Sequence, residues 1–502
     1  MRRVAQVCIA AAICFSGADL LAGDAAVRPR YRIAYATYVG GAEWDQAREV
    51  IVFPDGSVLI GAQTNSANMP VGPGALQPKY AGDDPKLGHG GVYGGDCYLA
   101  LLSADGSRVE AGTYFGGSKQ ERNVYGMGLD SRGNIVMTTA TRSPDAPTTD
   151  GCFQRRYGGG PSDMLVAKLS ADLKRLIWCT YVGGSGDDFP RGGLTLDKQD
   201  CVYVVGTSDS ADFPTTAGVV QPRRNGPRDS AIVKLSVDGS QLLLGTLLGG
   251  SGDDDAIMGV QLDSLGNLYV AGHTKSPDFP VTPQAAQRRL AGQSDCYFAK
   301  LSPDARRVLY ATYLGGSGNE FAEHRPWLCA DGSVLLAGFC GSADFPTTAP
   351  AYQRKLNGPS DGFLTKLSPD GSRLVFSTLA GGSGSENFLM PTVDDQGHIW
   401  IVGSTSSRDF PVTADAWQKT FGGGKEDGAI AIFSADGRKL LFASYLGGNG
   451  DEVIRSLALG ADGSVYLVGS TSSTDFPVTA RAVQTNYGGG SGDAFVVKLV
   501  GH

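Results

Sequence analysis

A Gly-Gly pair returns seven times along this chain, at Gly40-Gly41, Gly116-Gly117, Gly183-Gly184, Gly249-Gly250, Gly315-Gly316, Gly381-Gly382 and Gly447-Gly448. Successive pairs are 76, 67, 66, 66, 66 and 66 residues apart. A period held that closely means one supersecondary unit built seven times. It overrides the reading of about three unlike domains that length alone would suggest. Glycine makes up 72 of 502 residues, about twice its usual ~7%. Because the glycines recur at fixed places, they mark turns and not low complexity.

One unit runs from Gly249 to Gly316. Ser251-Gly252-Asp253-Asp254 is a tight acidic loop, and Ile257 to Asp263 has the pattern of a half-buried strand. Ser264 to Asn267 turns the chain into a second strand from Leu268 to His273. A long polar loop carries Asp278-Phe279-Pro280. Tyr297 to Ser302 and Val308 to Leu314 are strands three and four. No segment keeps a helical period, although Pro283 to Leu290 has room for about one helical turn. A four-stranded antiparallel sheet repeated radially is a propeller blade. The expected fold is therefore all-β, a single seven-bladed β-propeller over residues 31–499. Approximate blades are 48–115, 124–182, 191–248, 257–314, 323–380, 389–446, and 453–499 joined by 31–39. The last unit stops after a third strand, Phe495 to Leu499, and the chain begins with an orphan fourth strand, Arg32 to Val39. The N-terminal strand can thus complete the last blade and close the ring. An open solenoid would have no use for complementary half-blades.

The unit resembles the bacterial seven-bladed β-propeller repeat known as SBBP. The matching text is Thr312-Tyr313-Leu314-Gly315-Gly316-Ser317-Gly318, Asp263-Ser264-Leu265-Gly266-Asn267-Leu268-Tyr269-Val270, Asp278-Phe279-Pro280 and Lys366-Leu367-Ser368-Pro369-Asp370-Gly371. The resemblance covers roughly residues 31 to 499. It implies a propeller in an exported bacterial protein, and it implies no established catalytic residues.

Arg2-Arg3, the apolar run Val7 to Phe15 and the small residues Ser16-Gly17-Ala18 have the layout of an export signal. Leu21-Ala22-Gly23 is a second cleavage candidate, so residues 1–26 are expected to be signal peptide and short leader. The run is too short to span a bilayer, and no other stretch is apolar enough for an integral membrane span. A periplasmic, secreted or cell-surface location follows. Cleavage would leave seven scattered cysteines, read mainly as buried thiols with at most one or two disulfides. A net charge of −8 argues against nucleic acid as a partner.

Recurrence separates structure from candidate function. Gln77, Gln154, Gln221, Gln287, Gln353, Gln418 and Gln484 occupy every long loop, and Asp96, Asp163, Asp229, Asp295, Asp361, Asp427 and Asp493 precede every third strand. Both sets suit local hydrogen bonding to loop backbone. The Phe of Asp-Phe-Pro is expected to plug the space between blades, with Met69 and Ala146 in its place in blades one and two. The loops after each Gly-Gly are acidic, and read either as a solvated rim or as oxygen-rich Ca²⁺ sites. The metal candidates are Asp187, Asp188, Asp253, Asp254, Asp451 and Glu452; no cofactor beyond Ca²⁺ is suggested.

Seven positions after the second glycine stand Arg48, Arg191 and Arg455 in blades one, three and seven; the other blades have Val124, Ile257, Glu323 and Leu389. Blade five departs furthest, with Glu323-His324-Arg325-Pro326-Trp327. The ligand-binding candidates are Arg48, Arg191, Arg325, Arg455 and Trp327, which could clamp a carboxylate, sulfate or phosphate at the channel mouth. The other reading pairs the arginines with the acidic loops. His324 and Glu323 are the acid–base candidates. An insertion between Gly82 and Gly95 is a contact arm or a tolerated surface loop. The expected function is an exported, non-enzymatic scaffold that binds a protein or polysaccharide through its loop-rich face. The alternatives are a hydrolase or lyase on an acidic saccharide, and a structural envelope component.

Overall fold

The computed structural model describes residues 31–82 and 94–501. The proposed leader and residues 83–93 of the blade-one insertion lie outside the described residues. The described chain forms seven antiparallel sheets, one per repeat, and no helix occurs among these residues. Pro283 to Leu290 is turn and irregular backbone, so the helical turn allowed for there does not form.

The sheets of blades one to six keep chain order from inner to outer strand. Blade six is typical: Glu386–Val393, Ile399–Thr405, Asp427–Phe433 and Leu440–Leu446. Blade seven is closed as its two ends foretell. Tyr31–Val39 pairs antiparallel with Asp493–Gly501, from Tyr31 opposite Gly501 to Val39 opposite Ala494. That pairing covers an edge that would otherwise offer free amides and carbonyls to another chain.

The core lies between the blades. Phe279 packs with Tyr203, Ile232 and Leu248 of blade three and with Val270 and Tyr297 of its own blade. Phe213, Phe345, Phe410 and Phe476 are buried in equivalent two-blade clusters, and Met69 and Ala146 take this place in blades one and two. A tyrosine before the Gly-Gly pair fastens the same loop. Tyr313 Oη donates to Ser276 O at 2.7 Å and accepts from Phe279 N–H at 3.1 Å. Tyr38, Tyr114, Tyr181 and Tyr445 repeat this contact, so the aromatic loop is locked to its blade in five repeats.

The Gly-Gly turn is wrapped by side chains that recur in each repeat. Gly249 N–H donates to Gln221 Oε1 at 2.9 Å, and Gly250 N–H to Asp254 Oδ2 at 2.8 Å. The Gln amide reaches Asp229, which also accepts from the Asn225 and Gly226 amides. The expected structural role of both recurring sets is seen here. These glycines are required by space. A Cβ on Gly249 would stand 2.6 Å from Asp254 Oδ2 and 2.7 Å from Asp229 Oδ1, closer than real Cβ contacts occur.

The four residues after Gly-Gly hold neighbouring units together. Ser251 N–H donates to Asp278 Oδ1 at 2.8 Å, and single parallel bridges join Arg228 to Asp253 and Ser294 to Asn319. The Gly-Gly turns and long loops therefore share one face of the ring. All seven cysteines in the described chain are free thiols, four of them buried; the allowance for one or two disulfides is not used.

Candidate functional site

The inner strands of blades one, three, four, five and six begin three residues earlier than the sequence pattern suggests, at Asp45, Asp188, Asp254, Glu320 and Glu386, and that of blade seven one residue earlier, at Glu452. The position seven after the second glycine then falls where the strand leaves its ladder. In blades one, six and seven it is a bulge: register shifts skip Arg48, Leu389 and Arg455. In blades three, four and five the strand breaks outright, over 190–193, 256–259 and 322–326, and Arg191, Ile257 and Glu323 lie inside the breaks. Val124 occupies the gap between the Glu121 bridge and Gly126 in blade two. A bulge frees one residue from pairing and re-aims its side chain. Here it turns Arg48, Arg191, Glu323 and Arg455 toward one another, while Val124 packs in the core between blades one and two.

These side chains meet across the ring. Glu323 of blade five is approached by Arg48 of blade one at 3.7 Å, by Arg455 of blade seven at 3.2 Å, and by Arg191 of blade three through its other oxygen. Arg325 pairs with Glu49 of blade one at 3.0 Å. The arginines therefore pair with inner-strand glutamates across the channel. Arg48 is 4% and Glu323 3% exposed, whereas the side chains of Arg191 and Arg455 keep 32% and 21%. The plug is dry on one side and open on the other.

Burial lowers the pKa of the Arg48 guanidinium and raises that of the Glu49 carboxyl, the latter opposed by Arg325 and Arg48. His324 sits in the left-handed region at φ 64. Its Nε2 has no hydrogen-bond partner. Burial first, and four surrounding arginines second, push its pKa well below the usual range, so the imidazole is neutral at physiological pH. The break that carries it is held from blade four: Ala322 N–H donates to His273 Nε2 at 2.9 Å. Trp327 does not join this group. It begins the lower half of the broken strand, opposite Leu335, and packs on the core between blades five and six.

Over the plug lies a cavity of about 210 Å³. Arg48, Arg122, Arg191, Arg228 and Arg455 line it, together with Asp187 and Asp255. Tyr125 and Phe189 meet edge to face at 4.9 Å, and carry Arg48 and Arg122 on their rings at 5.0 and 4.7 Å. Gln46 and Asn123 are joined at 2.8 Å in the wall. Asp187 accepts from Ser162 Oγ and lies 3.8 Å from Arg228. Burial raises the Asp255 pKa, with Arg228 and Arg191 opposing. Larger, shallower grooves also occur on this face, such as one of about 410 Å³ beside Gln221 and Gly249 and one of about 560 Å³ beside Gln353 and Gly381. Those two grooves are repeats of each other, while the axial cavity is built from residues that break the repeat.

The metal candidates divide into two sets. Asp188, Asp254 and Glu452 are the buried carboxylates that cap the Gly-Gly turns; Asp188 accepts from Gly184 N–H, Ser208 Oγ and Ser210 Oγ at 2.6, 2.5 and 2.7 Å. Both oxygens of Asp188 and Glu452 are occupied by backbone and hydroxyl donors, and Asp254 Oδ2 accepts from Gly250 N–H and Ser276 Oγ. Asp253 lies 3.3 Å from Lys275, and Asp451 accepts from Lys425 N–H at 2.6 Å. Among the described residues no three His, Cys, Asp or Glu side chains are grouped to hold a metal ion. Glu49, Arg122, Arg228 and Tyr125 escape the sequence reading. Glu49 and Tyr125 each adjoin the bulge position, and that adjacency was the available signal.

A family model agrees with this architecture. Residues 245–280 match the family model of the SBBP beta-propeller repeat. No curated protein matches the chain. Among solved structures, BamB from Moraxella catarrhalis is similar at 12% identity and a TM-score of 0.39, over 93% of this chain and 100% of that one. A protein of unknown function from Dyadobacter fermentans has 10% identity and a TM-score of 0.41, over 94% and 100%. A europium-containing methanol dehydrogenase has 10% identity and a TM-score of 0.41, over 93% of both chains. No activity passes from these structures to this chain.

Proposed function

We propose that this SBBP-repeat propeller is an exported, non-enzymatic scaffold whose loop-rich face and channel mouth bind a partner bearing anionic groups, an acidic polysaccharide above all. The observation that carries the reading is the arginine-lined axial cavity, made of residues that depart from the seven-fold repeat. A fold alone does not assign a function. Convergent arginines in a partly dry site are, however, the usual device for holding oxyanions. The candidate acid–base pair supports a binding role. Glu323 is held by three guanidiniums, and His324 is buried, with burial and the surrounding arginines lowering its pKa, which disfavours it as an acid.

The test is calorimetric titration of the mature protein with acidic and neutral oligosaccharides of equal length, with product release followed in parallel. Selective, salt-sensitive binding of the acidic series without turnover is expected. Turnover would replace this reading with a hydrolase or lyase, and equal or absent binding of both series would end it. Export is tested by N-terminal sequencing of the protein from its native cell fractions. Cleavage near Ala18 or Gly23 is expected; intact Met1 in the cytoplasm contradicts export.

A further inference from the structure

The axial cavity has features that identify the group it takes. It is smaller than the ~300–1,000 Å³ of sites that enclose whole small ligands, so it suits the tip of a larger molecule. Its guanidiniums come from four consecutive blades: Arg455 from blade seven, Arg48 from blade one, Arg122 from blade two and Arg191 from blade three. A planar carboxylate is satisfied by one guanidinium fork. Donors converging from several separate strands instead match an oxyanion with three or more oxygens. Arg48 lines this cavity while 4% exposed, and its Nε and Nη2 make no hydrogen bond to the protein. Buried charged donors ordinarily have partners. Finally, Glu323 places one carboxylate against three arginines, a counter-ion that leaves the group net positive.

Resting on the binding role above, we infer that the channel mouth is a site for a single tetrahedral oxyanion ester, sulfate or phosphate, seated on Arg48, Arg191 and Arg455, with Glu323 as its built-in competitor. Glu323 holds the guanidiniums in position when no ligand is bound. It also weakens anion binding by like-charge repulsion, so removal of its charge strengthens the site. This sign separates the inference from simple attraction to a basic surface.

The probes are inorganic sulfate and phosphate, against chloride and acetate at equal ionic strength, read by calorimetry and thermal shift. Saturable binding of the tetrahedral anions is expected. Arg191→Gln and Arg455→Gln, at the more open positions, should each weaken it about tenfold or more. Glu323→Gln should bind sulfate at least several-fold more tightly, and gain more in melting temperature from sulfate than the parent does. Should Glu323→Gln not fold, the two arginine variants decide. No preference over chloride, no loss in either arginine variant, or weaker binding in folded Glu323→Gln overturns the inference. Acidic-oligosaccharide binding that survives these results leaves the scaffold role standing without this site. Sulfated and phosphorylated monosaccharides then identify the source: both should bind above the uronate, and the tighter of the two names the ester; a uronate binding as well as both contradicts the tetrahedral assignment.

Discussion

Glu323 offers two oxygens to three guanidiniums from three other blades. Its charge is therefore a structural fastening as well as a brake on ligand binding. Taking one partner out of a buried ionic group costs more than the pair contributes, because the remaining charges are left without compensation. Glu323→Ala should lower the denaturation midpoint by the equivalent of roughly 3 kcal/mol in chloride buffer, with sulfate restoring part of the loss; an unchanged midpoint would show that the arginines are solvated rather than paired. The residues of this cluster were legible as departures from a seven-fold pattern, because Arg48, Arg191, Glu323 and Arg455 share one repeat position. Their pairing was not. It depends on a bulge or break at that position in each blade, and apolar alternation is blind to a single inserted residue. The Gly-Gly loops nearby carry their own carboxylates, which made local pairing look the natural partner set.

Each Gly-Gly turn is stacked on two buried carboxylates, one from the inner strand and one from the third strand, as Glu320 and Asp295 lie under Gly315. This explains why the motif tolerates so little change. Gly315→Ala brings a Cβ within 2.6 Å of both carboxylates, and should cost about 1–3 kcal/mol by overpacking. Equal melting temperatures for variant and parent would refute the spatial account. The same carboxylates give stability a pH dependence. Burial pushes Asp45, Asp96 and Asp163 up to about 7, Glu121 to about 8, and Asp188, Asp254 and Asp493 to about 6. An acid with a raised pKa binds its proton more tightly in the folded chain than in the unfolded one. Its contribution is complete below pH ~4 and is lost as pH rises through these values. Hairpin acids held low, such as Asp238 and Asp370 at about 2, act at more acidic pH. The melting temperature should therefore fall steadily from pH 5 to pH 8.5 at constant ionic strength; a flat or rising profile would contradict the burial of these groups in protonated form. The glycines and the recurring Gln and Asp were plain in the sequence. The inner-strand carboxylates read instead as an acidic rim, because a capping acid and a solvated one look alike in sequence.

At the scale of the whole molecule the ring is closed by nine residues, Tyr31–Val39, laid along the third strand of the last blade. This was legible from two complementary half-blades, since a radial repeat must end where it begins. Deletion through Val39 leaves a three-stranded blade with an open edge; it should abolish a single cooperative melt and produce aggregates on size exclusion, and a monodisperse, normally melting truncation would refute closure as a source of stability. Closure also sets the site. Arg455 in blade seven and Arg48 in blade one meet Glu323 only because the first and last units are neighbours. The central claim is that this convergence holds an oxyanion, and the most direct measurement is a crystal structure with selenate, whose anomalous signal locates a tetrahedral anion unambiguously. The account predicts a peak on the axis within hydrogen-bonding distance of Arg48, Arg191 and Arg455. Ordered selenate elsewhere on the surface, with none at the channel mouth, would contradict it.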